Sequence, residues 1–170
     1  MNEFEKALNI VESSYMDVPE VVYHGTDHAP FSSFRQMGGK INTIFGSEDV
    51  ERSGFFFTAD KELASRFGKN VMSARLHIHK LADLTDDGFD NRIAKQWEES
   101  GHNYKWLMYK EVWELFDGED GKEWVKFLQG IGYDGAVMTE PPVEGDDISG
   151  LAYVVFDPKN IEILGWNKED

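Results

Sequence analysis

A regular alternation of apolar and polar residues runs from Val71 to His79 and strongly constrains the fold. Every second side chain is apolar, as in Met72, Ala74, Leu76 and Ile78, and the intervening ones are polar: Ser73, Arg75, His77 and His79. Successive side chains of a β-strand point to opposite faces, so this pattern predicts a half-buried strand. The core is therefore built, at least in part, on a β-sheet.

Further strands are predicted towards both ends of the chain. Apolar, β-branched and aromatic runs occur at residues 20–23, 54–58, 136–138, 152–156 and 161–164. The stretch from 83 to 130 has a helical pattern with a break at Asp117-Gly118. Strands at both ends with helices between them predict an α+β fold with antiparallel sheets. With 170 residues and no linker, the chain is expected to form one domain over 1–170.

Two more helices and two loops complete this outline. Residues 3–15 have an amphipathic helical pattern, and Asp60 is placed to cap a helix that runs through Phe67 to Gly68. The glycine-containing stretch 35–53 is predicted to be a long loop of the kind that forms lids. The acidic run 140–147 is predicted to be a solvated loop.

The charge of the chain limits the partners it can have. Its 32 acidic and 17 basic residues give a formal net charge of −15. Such a surface repels phosphate backbones and disfavours nucleic acid as the main partner. Basic proteins, or a small molecule held in a cleft, fit this charge better.

Several features predict a soluble protein of the cytoplasm, the host cytoplasm if the chain is phage-encoded. The sequence has no cysteine and no apolar run of transmembrane length, so no membrane partner is expected. Its acidic first residues, 1–5, lack the basic start and apolar core of a signal peptide.

A small group of polar residues, Tyr23-His24-Gly25-Thr26, is predicted at the end of the first strand. His24 supplies a ring nitrogen, Thr26 a hydroxyl, and Gly25 lets a ligand approach the backbone closely. Such a combination on a rigid element is typical of a binding site for a sugar or an amide.

Three blocks of the sequence resemble the ADP-ribosyltransferase fold, in the group whose hallmark is a His-Tyr-Glu triad. In chain order they are Tyr23-His24-Gly25-Thr26; Gly54-Phe55-Phe56-Phe57-Thr58 with Leu63-Ala64-Ser65-Arg66-Phe67; and Gly132-Tyr133-Asp134-Gly135 with Ala152-Tyr153-Val154-Val155-Phe156-Asp157-Pro158. The chain looks similar to transferase-like domains of phage and mobile-element proteins. The resemblance implies an ADP-ribosyltransferase-like split antiparallel β-sandwich with flanking helices.

The resemblance also implies a cleft that binds NAD as a substrate and needs no metal. His24 would hydrogen-bond the nicotinamide ribose with Thr26 nearby, and the backbone of Gly25 would pair with the carboxamide. Phe56 takes the place of the triad tyrosine and keeps its stacking ring without the hydroxyl. Phe67 would be the second stacking aromatic, Ser65 a nearby hydroxyl, and the loop 35–53 would cover the dinucleotide.

The chain departs from the family pattern at the triad glutamate. That residue would fall at or beside Ala152, where there is no acid. Glu144, Asp146 or Asp147 of the acidic loop is then the candidate catalyst, because cleavage of the nicotinamide–ribose bond needs negative charge near an oxocarbenium-like ribose. The function implied is transfer of a single ADP-ribose from NAD to a protein or small acceptor.

Two other functions remain open on the same fold. One is a catalytically inactive binding module, such as a phage-encoded inhibitor that recognises an ADP-ribose-like ligand or a basic protein. The position of Ala152 favours this reading. The other is an RNA 2′-phosphotransferase, which also begins with a His-Gly-Thr-like motif but needs several basic residues for its phosphate.

No metal site is predicted. His77 and His79 lie two apart on the predicted strand without a third ligand nearby in sequence, and are better explained as solvent-facing residues. Gly25 interrupts any helix that would align His24 with His28. Tyr133-Asp134-Gly135 is interpreted as a structural turn that leads into a strand.

Overall fold

The computed structural model describes residues 18–32, 34, 38–43, 46–85, 89–109, 111–140 and 150–167. The predicted helix over 3–15 lies outside these residues, and so do Glu144, Asp146 and Asp147 of the acidic loop.

Within these ranges the chain forms nine β-strands, four α-helices and two short 3₁₀ helices. The strands are β1 Val22–Thr26, β2 Gly38–Thr43, β3 Gly46–Glu51, β4 Phe55–Thr58, β5 Asn70–Leu76, β6 Leu81–Asp83, β7 Gly135–Glu140, β8 Gly150–Val155 and β9 Ile161–Trp166. The α-helices are α1 Lys61–Ser65, α2 Asn91–Glu99, α3 Tyr104–Tyr109 and α4 Gly118–Gly130. The 3₁₀ helices cover Val112–Phe116 and Pro158–Asn160.

Seven of these strands form one sheet in the order β6-β7-β8-β4-β1-β5-β9. Its neighbouring strands are antiparallel, except that β6 and β7 are parallel. Strands β2 and β3 pair with each other as a separate two-stranded sheet. The predicted α+β class with flanking helices is confirmed.

Apolar side chains cover both faces of the large sheet. On one face, which we call the helical face, buried residues of the sheet pack against the helices: Ala136, Met138, Ala152 and Val154 against Trp97, Leu115, Phe116, Trp124 and Leu128. The opposite face buries a second cluster: Val22, Phe57, Met72, Ala74, Leu76, Val137, Tyr153 and Val155. Adjacent residues of β7 and β8 thus alternate between the two clusters, as the period of a strand requires.

The strand predicted over 71–79 is observed, but it ends at Leu76. Its alternate residues are buried as expected. Beyond its end, the N–H groups of His79 and Lys80 donate to the carboxylate of Asp134 (2.8 and 2.7 Å). These two bonds draw the chain out of the strand, and they give Asp134 the structural role predicted for its turn. His77 and His79 are therefore outside the strand that was expected to carry them.

The prediction of a long loop over 35–53 is wrong for the described residues of that stretch. Strands β2 and β3 pair over their whole lengths, from Gly38 opposite Glu51 to Thr43 opposite Gly46. Gly38 and Gly46 lie at strand ends, where glycine is ordinary. Glycine content alone therefore did not distinguish a hairpin from a loop.

Helix α1 begins as predicted and ends early. The Asp60 carboxylate accepts hydrogen bonds from the N–H groups of Glu62 and Leu63 (2.8 and 3.2 Å), which caps the helix. The helix ends at Ser65, and a tighter turn, in which the Phe67 N–H donates to Ala64, carries the chain to Gly68. Phe67 is thus outside the helix that was predicted to include it.

The helical region predicted over 83–130 begins later than expected. Asp83 is the last residue of β6, and α2 begins at Asn91 after its cap Asp90. The predicted break at Asp117-Gly118 is observed, with Gly118 at φ +66°. None of the helices in the described part of the chain is long and apolar enough to cross a membrane.

Helix α1 packs on β1 at a distance that only glycine allows. A Cβ at Gly25 would lie 1.8 Å from the carbonyl oxygen of Ala64, and one at Gly68 would lie 2.1 Å from the carbonyl carbon of Thr26. Both obstacles are backbone atoms, which cannot rotate away. These two glycines therefore fix how α1 lies across the end of β1.

We expect Gly25→Ala to lower the free energy of unfolding by about 1–3 kcal/mol, because the new methyl group collides with backbone. The control is Gly130→Ala, at the end of α4, where an added Cβ meets no described atom within 4 Å. That change should be neutral or stabilising by up to about 1 kcal/mol. Urea unfolding of both variants measures the difference, and equal stability would contradict the close packing of α1.

Candidate functional site

The large sheet is split between its neighbouring strands β1 and β4. Strand β1 pairs with β5 over its whole length. Against β4 it makes a single backbone pair, Tyr23 opposite Thr58. No further pair continues this ladder in the described ranges, so the two strands separate beyond Tyr23. We call this gap the β1–β4 split.

The N–H and C=O groups of Gly25 point into the β1–β4 split. The partner of Gly25 on β5 is Val71, whose N–H donates to the Asn167 side chain (2.7 Å) and whose carbonyl accepts from the Asn167 N–H (2.9 Å). Val71 therefore bonds on its β9 side, away from β1. In an antiparallel pair of this kind both residues turn their backbone groups outward, so those of Gly25 face β4. The strand, predicted to end at Tyr23, continues through this residue to Thr26.

His24 bridges the split with its side chain. The imidazole Nδ1–H donates to the carbonyl of Phe56 (2.8 Å). This bond leaves Nε2 of the neutral ring as a hydrogen-bond acceptor. The ring lies 5.4 Å from the ring of Phe34 and 5.6 Å from that of Phe57.

The surroundings of His24 keep its imidazole neutral. Burial lowers the pKa of the ring below its ordinary value, and the hydrogen bond to the Phe56 carbonyl only partly opposes this. A neutral ring with a fixed Nδ1–H is suited to accept a hydrogen bond from a hydroxyl group at Nε2.

The two predicted hydroxyl groups differ in their surroundings. Thr26 is 8% exposed, and its Oγ1 accepts from the N–H of His28 (3.1 Å). Ser65 is exposed on α1, and its hydroxyl donates to the Glu62 carbonyl (2.5 Å). Thr26 thus holds the turn after β1, while Ser65 faces solvent.

Phe56, the first of the predicted stacking residues, lies on the helical face. Phe56 and Phe57 are neighbours in β4 and point to opposite faces, and the His24 ring packs on the side of Phe57. Phe56 packs edge-on against Phe116, with ring centroids 5.5 Å apart. Phe67 is 48% exposed, so it is not a core residue. The structure thus joins His24 to the backbone of Phe56, while their side chains leave the sheet on opposite faces.

Ala152, the expected position of the triad glutamate, is buried on the helical face. It is 3% exposed and lies between Thr58 of β4 and Met138 of β7. Two residues earlier, a Cβ at Gly150 would lie 3.4 Å from the Leu63 side chain of α1. Gly150, the first residue of β8, therefore lies beside α1. The carboxylates of Glu144, Asp146 and Asp147 belong to the β7–β8 connection and are not among the described residues.

Two residues near the split were missed from the sequence. Phe34 contacts His24, and Arg52 places its guanidinium carbon 5.1 Å from the centre of the Phe56 ring. Arg52 lies two residues before Gly54, which opens the second sequence block, and this proximity is the signal that could have identified it. Phe34 lies in no recognisable pattern, since its ring contacts are with distant residues such as Phe55 and Phe57 of β4.

No group of three histidine, aspartate or glutamate side chains in the described ranges is arranged to hold a metal ion. The Nε2 atom of His77 instead lies 3.3 Å from a carboxylate oxygen of Glu162 in β9. The same carboxylate also pairs with Arg75 of β5.

The lowered pKa of His24 predicts a pH dependence of stability. Above about pH 6.5 the ring is neutral in both states. Below it the unfolded chain takes up a proton that the folded chain resists, so stability falls as the pH falls, by at most about 1.4 kcal/mol per pH unit. His24→Asn keeps an N–H for Phe56 but does not titrate. Urea unfolding between about pH 5.5 and pH 8 should show the wild type losing stability relative to this variant on the acid side, and parallel curves would contradict a neutral His24.

Comparison with known proteins agrees with the resemblance seen in the sequence. No curated protein sequence matches the chain. A solved structure, described as "Crystal structure of an anti-CRISPR protein", is 13% identical with a TM-score of 0.45, and the match covers 85% of this chain and 94% of that one. Residues 18–167 match the family "ADP-Ribosyltransferase in polyvalent proteins". Because this match spans most of the chain, the protein belongs to the ADP-ribosyltransferase family found in polyvalent proteins.

Proposed function

We propose that the protein binds NAD at the β1–β4 split. The observation that carries this proposal is the direction of the Gly25 backbone groups, which face the split on an edge where β4 no longer pairs. A carboxamide presents one N–H donor side and one carbonyl acceptor, as a strand does. The nicotinamide carboxamide can therefore bond to Gly25 in the way a neighbouring strand would.

The state of His24 supports the same ligand. Its Nδ1–H is used by the Phe56 carbonyl, so its Nε2 accepts. A ribose hydroxyl is a donor of suitable size next to a nicotinamide held at Gly25. His24 then orients the sugar without carrying a charge.

The aromatic residues support stacking of the nicotinamide ring on the helical face. Phe56 lies in β4, on one side of the split. The exposed Phe67 follows α1, the helix that packs on Gly25 on the other side. Flat aromatic rings bind well beside phenylalanine. Thr26 stabilises the turn that follows β1 at this site. Ser65 carries the exposed hydroxyl group that is nearest to Phe67 in the sequence.

Binding is better supported than catalysis. A transferase must stabilise an oxocarbenium-like ribose with a nearby carboxylate. Ala152 offers a buried methyl group at the position where the family pattern has that carboxylate. We therefore expect the wild-type protein to bind NAD with little or no turnover.

We expect His24→Ala to weaken NAD binding about tenfold in calorimetry, because the ribose loses its acceptor and the split loses its bridge. The control is His79→Ala, since His79 is exposed and, among the residues that the structure describes, its backbone N–H but not its side chain is hydrogen-bonded. Phe67→Ala should weaken binding as well, whereas Leu164→Ala, which removes a similarly exposed side chain on β9, should not. If neither NAD nor ADP-ribose binds the wild type, the proposed site is wrong.

A second candidate function is transfer of a single ADP-ribose to a protein or small acceptor. The observation that favours it is the position of Gly150, the first residue of β8, beside Leu63 of α1 and close to Thr58. Glu144, Asp146 and Asp147 precede Gly150 in the sequence, and one of them would supply the carboxylate that the ribose needs. The net charge of −15 supports a basic protein as acceptor or partner.

Restoring the carboxylate distinguishes the two candidates. Ala152→Glu should raise nicotinamide release from labelled NAD at least tenfold over Ala152→Gln, which adds the same bulk without the charge. If the wild type already releases nicotinamide, the triple variant Glu144→Gln, Asp146→Asn and Asp147→Asn should abolish the release. If the wild type releases nicotinamide and the triple variant still releases it, both assignments of the acid, to position 152 and to the acidic loop, are contradicted.

A further inference from the structure

Arg52 occupies a fixed position beside the aromatic ring proposed to stack on nicotinamide. Its backbone forms an isolated β-bridge with Asp117, just before α4. Its Nε donates to the Asp117 carboxylate (2.8 Å), and this carboxylate is only 14% exposed. Backbone and side chain are thus tied to the same neighbour, which restricts where the guanidinium can lie.

The guanidinium lies over aromatic side chains. Its central carbon is 5.1 Å from the centre of the Phe56 ring and 5.9 Å from that of Trp113. At such distances a cation is attracted to the negative face of an aromatic ring. Phe56 therefore already has a cation beside it before any ligand arrives.

Nicotinamide differs in charge between the forms in which it occurs. The ring of NAD⁺ is a pyridinium cation, the ring of NADH is neutral, and ADP-ribose has no such ring. A pyridinium stacked on Phe56 would lie close to the guanidinium of Arg52. If the bound ring displaced Arg52 from Phe56, the same cation–π contact would be lost with NAD⁺ and with NADH. Charge repulsion, in contrast, would weaken the binding of NAD⁺ alone.

We infer that Arg52 makes this site discriminate against the positive charge of an oxidised nicotinamide ring. The preferred ligands are then dinucleotides with a neutral ring or with none, such as NADH and ADP-ribose. This inference rests on the proposed function, because it concerns the ligand of the same site. It fits the loss of the carboxylate at Ala152, since both features disfavour positive charge at the ribose end of the nicotinamide.

The size of the effect follows from Coulomb's law. Two unit charges about 8 Å apart at an effective dielectric constant of about 30 repel by about 1.4 kcal/mol, a factor of about ten in affinity. Asp117 offsets part of this repulsion because its carboxylate is next to the guanidinium. A factor of about three to ten is therefore expected.

The test is calorimetric titration of the full chain with NAD⁺, NADH and ADP-ribose. In the wild type, NADH should bind about three to ten times more tightly than NAD⁺. Arg52→Met should remove this preference by improving NAD⁺ relative to NADH. The control is Arg75→Met, which removes a surface arginine that pairs with Glu162 on β5 and β9 and changes the net charge equally. Its ratio of the two affinities should match that of the wild type.

A second variant keeps the test valid if Arg52→Met alone fails to fold. Arg52→Met combined with Asp117→Asn leaves no unpaired carboxylate at the bridge and keeps the net charge, and it should also reduce the preference for NADH. If NAD⁺ binds the wild type as tightly as NADH, or Arg52→Met leaves the ratio unchanged, the inference is overturned while the binding site stands. If none of the three ligands binds, the proposed function itself fails.

Discussion

The hydrogen bond from the His24 imidazole to the Phe56 carbonyl holds β1 and β4 together where their backbone pairing stops. In a continuous antiparallel ladder that carbonyl would accept from a backbone N–H of the facing strand. A side chain takes over this role, so the backbone groups of Gly25 face the split beside it. The same bond selects the tautomer of His24 and makes its remaining nitrogen an acceptor. One interaction thus fixes both the shape of the split and the polar groups that line it.

The close packing of α1 depends on the same region. At Gly25 and Gly68 the backbone of β1 and that of α1 with its following turn lie so close that an added Cβ would overlap the facing backbone atoms. Any side chain at Gly25 would push the helix away and carry Phe67 with it. The missing side chain at Gly25 therefore has two effects: it lets α1 pack closely on β1, and it leaves the backbone groups of Gly25 accessible to a ligand.

The elements whose residues alternate or carry strong caps were predictable from the sequence. The buried residues of β5 and the cap at Asp60 follow from local rules that tertiary structure did not override. The ends of elements were less predictable, because they depend on distant partners. β5 stops at Leu76 because the N–H groups beyond it bond to distant partners: that of His77 to the Asn160 carbonyl, and those of His79 and Lys80 to the Asp134 carboxylate.

In the candidate site, too, features set by local sequence were predictable and features set by distant residues were not. His24 and Gly25 stood out in the sequence because they share one short motif. The direction of the Gly25 backbone groups was not predictable, as it depends on the bonds of Val71 to Asn167 on the far side of β5. The position of Arg52 over Phe56 likewise depends on Asp117, which lies 65 residues away.

The single pair between β1 and β4 has a mechanical consequence. It divides the large sheet into a three-stranded half, β1, β5 and β9, and a four-stranded half, β4, β8, β7 and β6. Few main-chain bonds resist a change in twist between these halves, although the cluster around Phe57 and Val22 spans them. A ligand in the split would act as an additional rung between the halves and would resist such a change in twist.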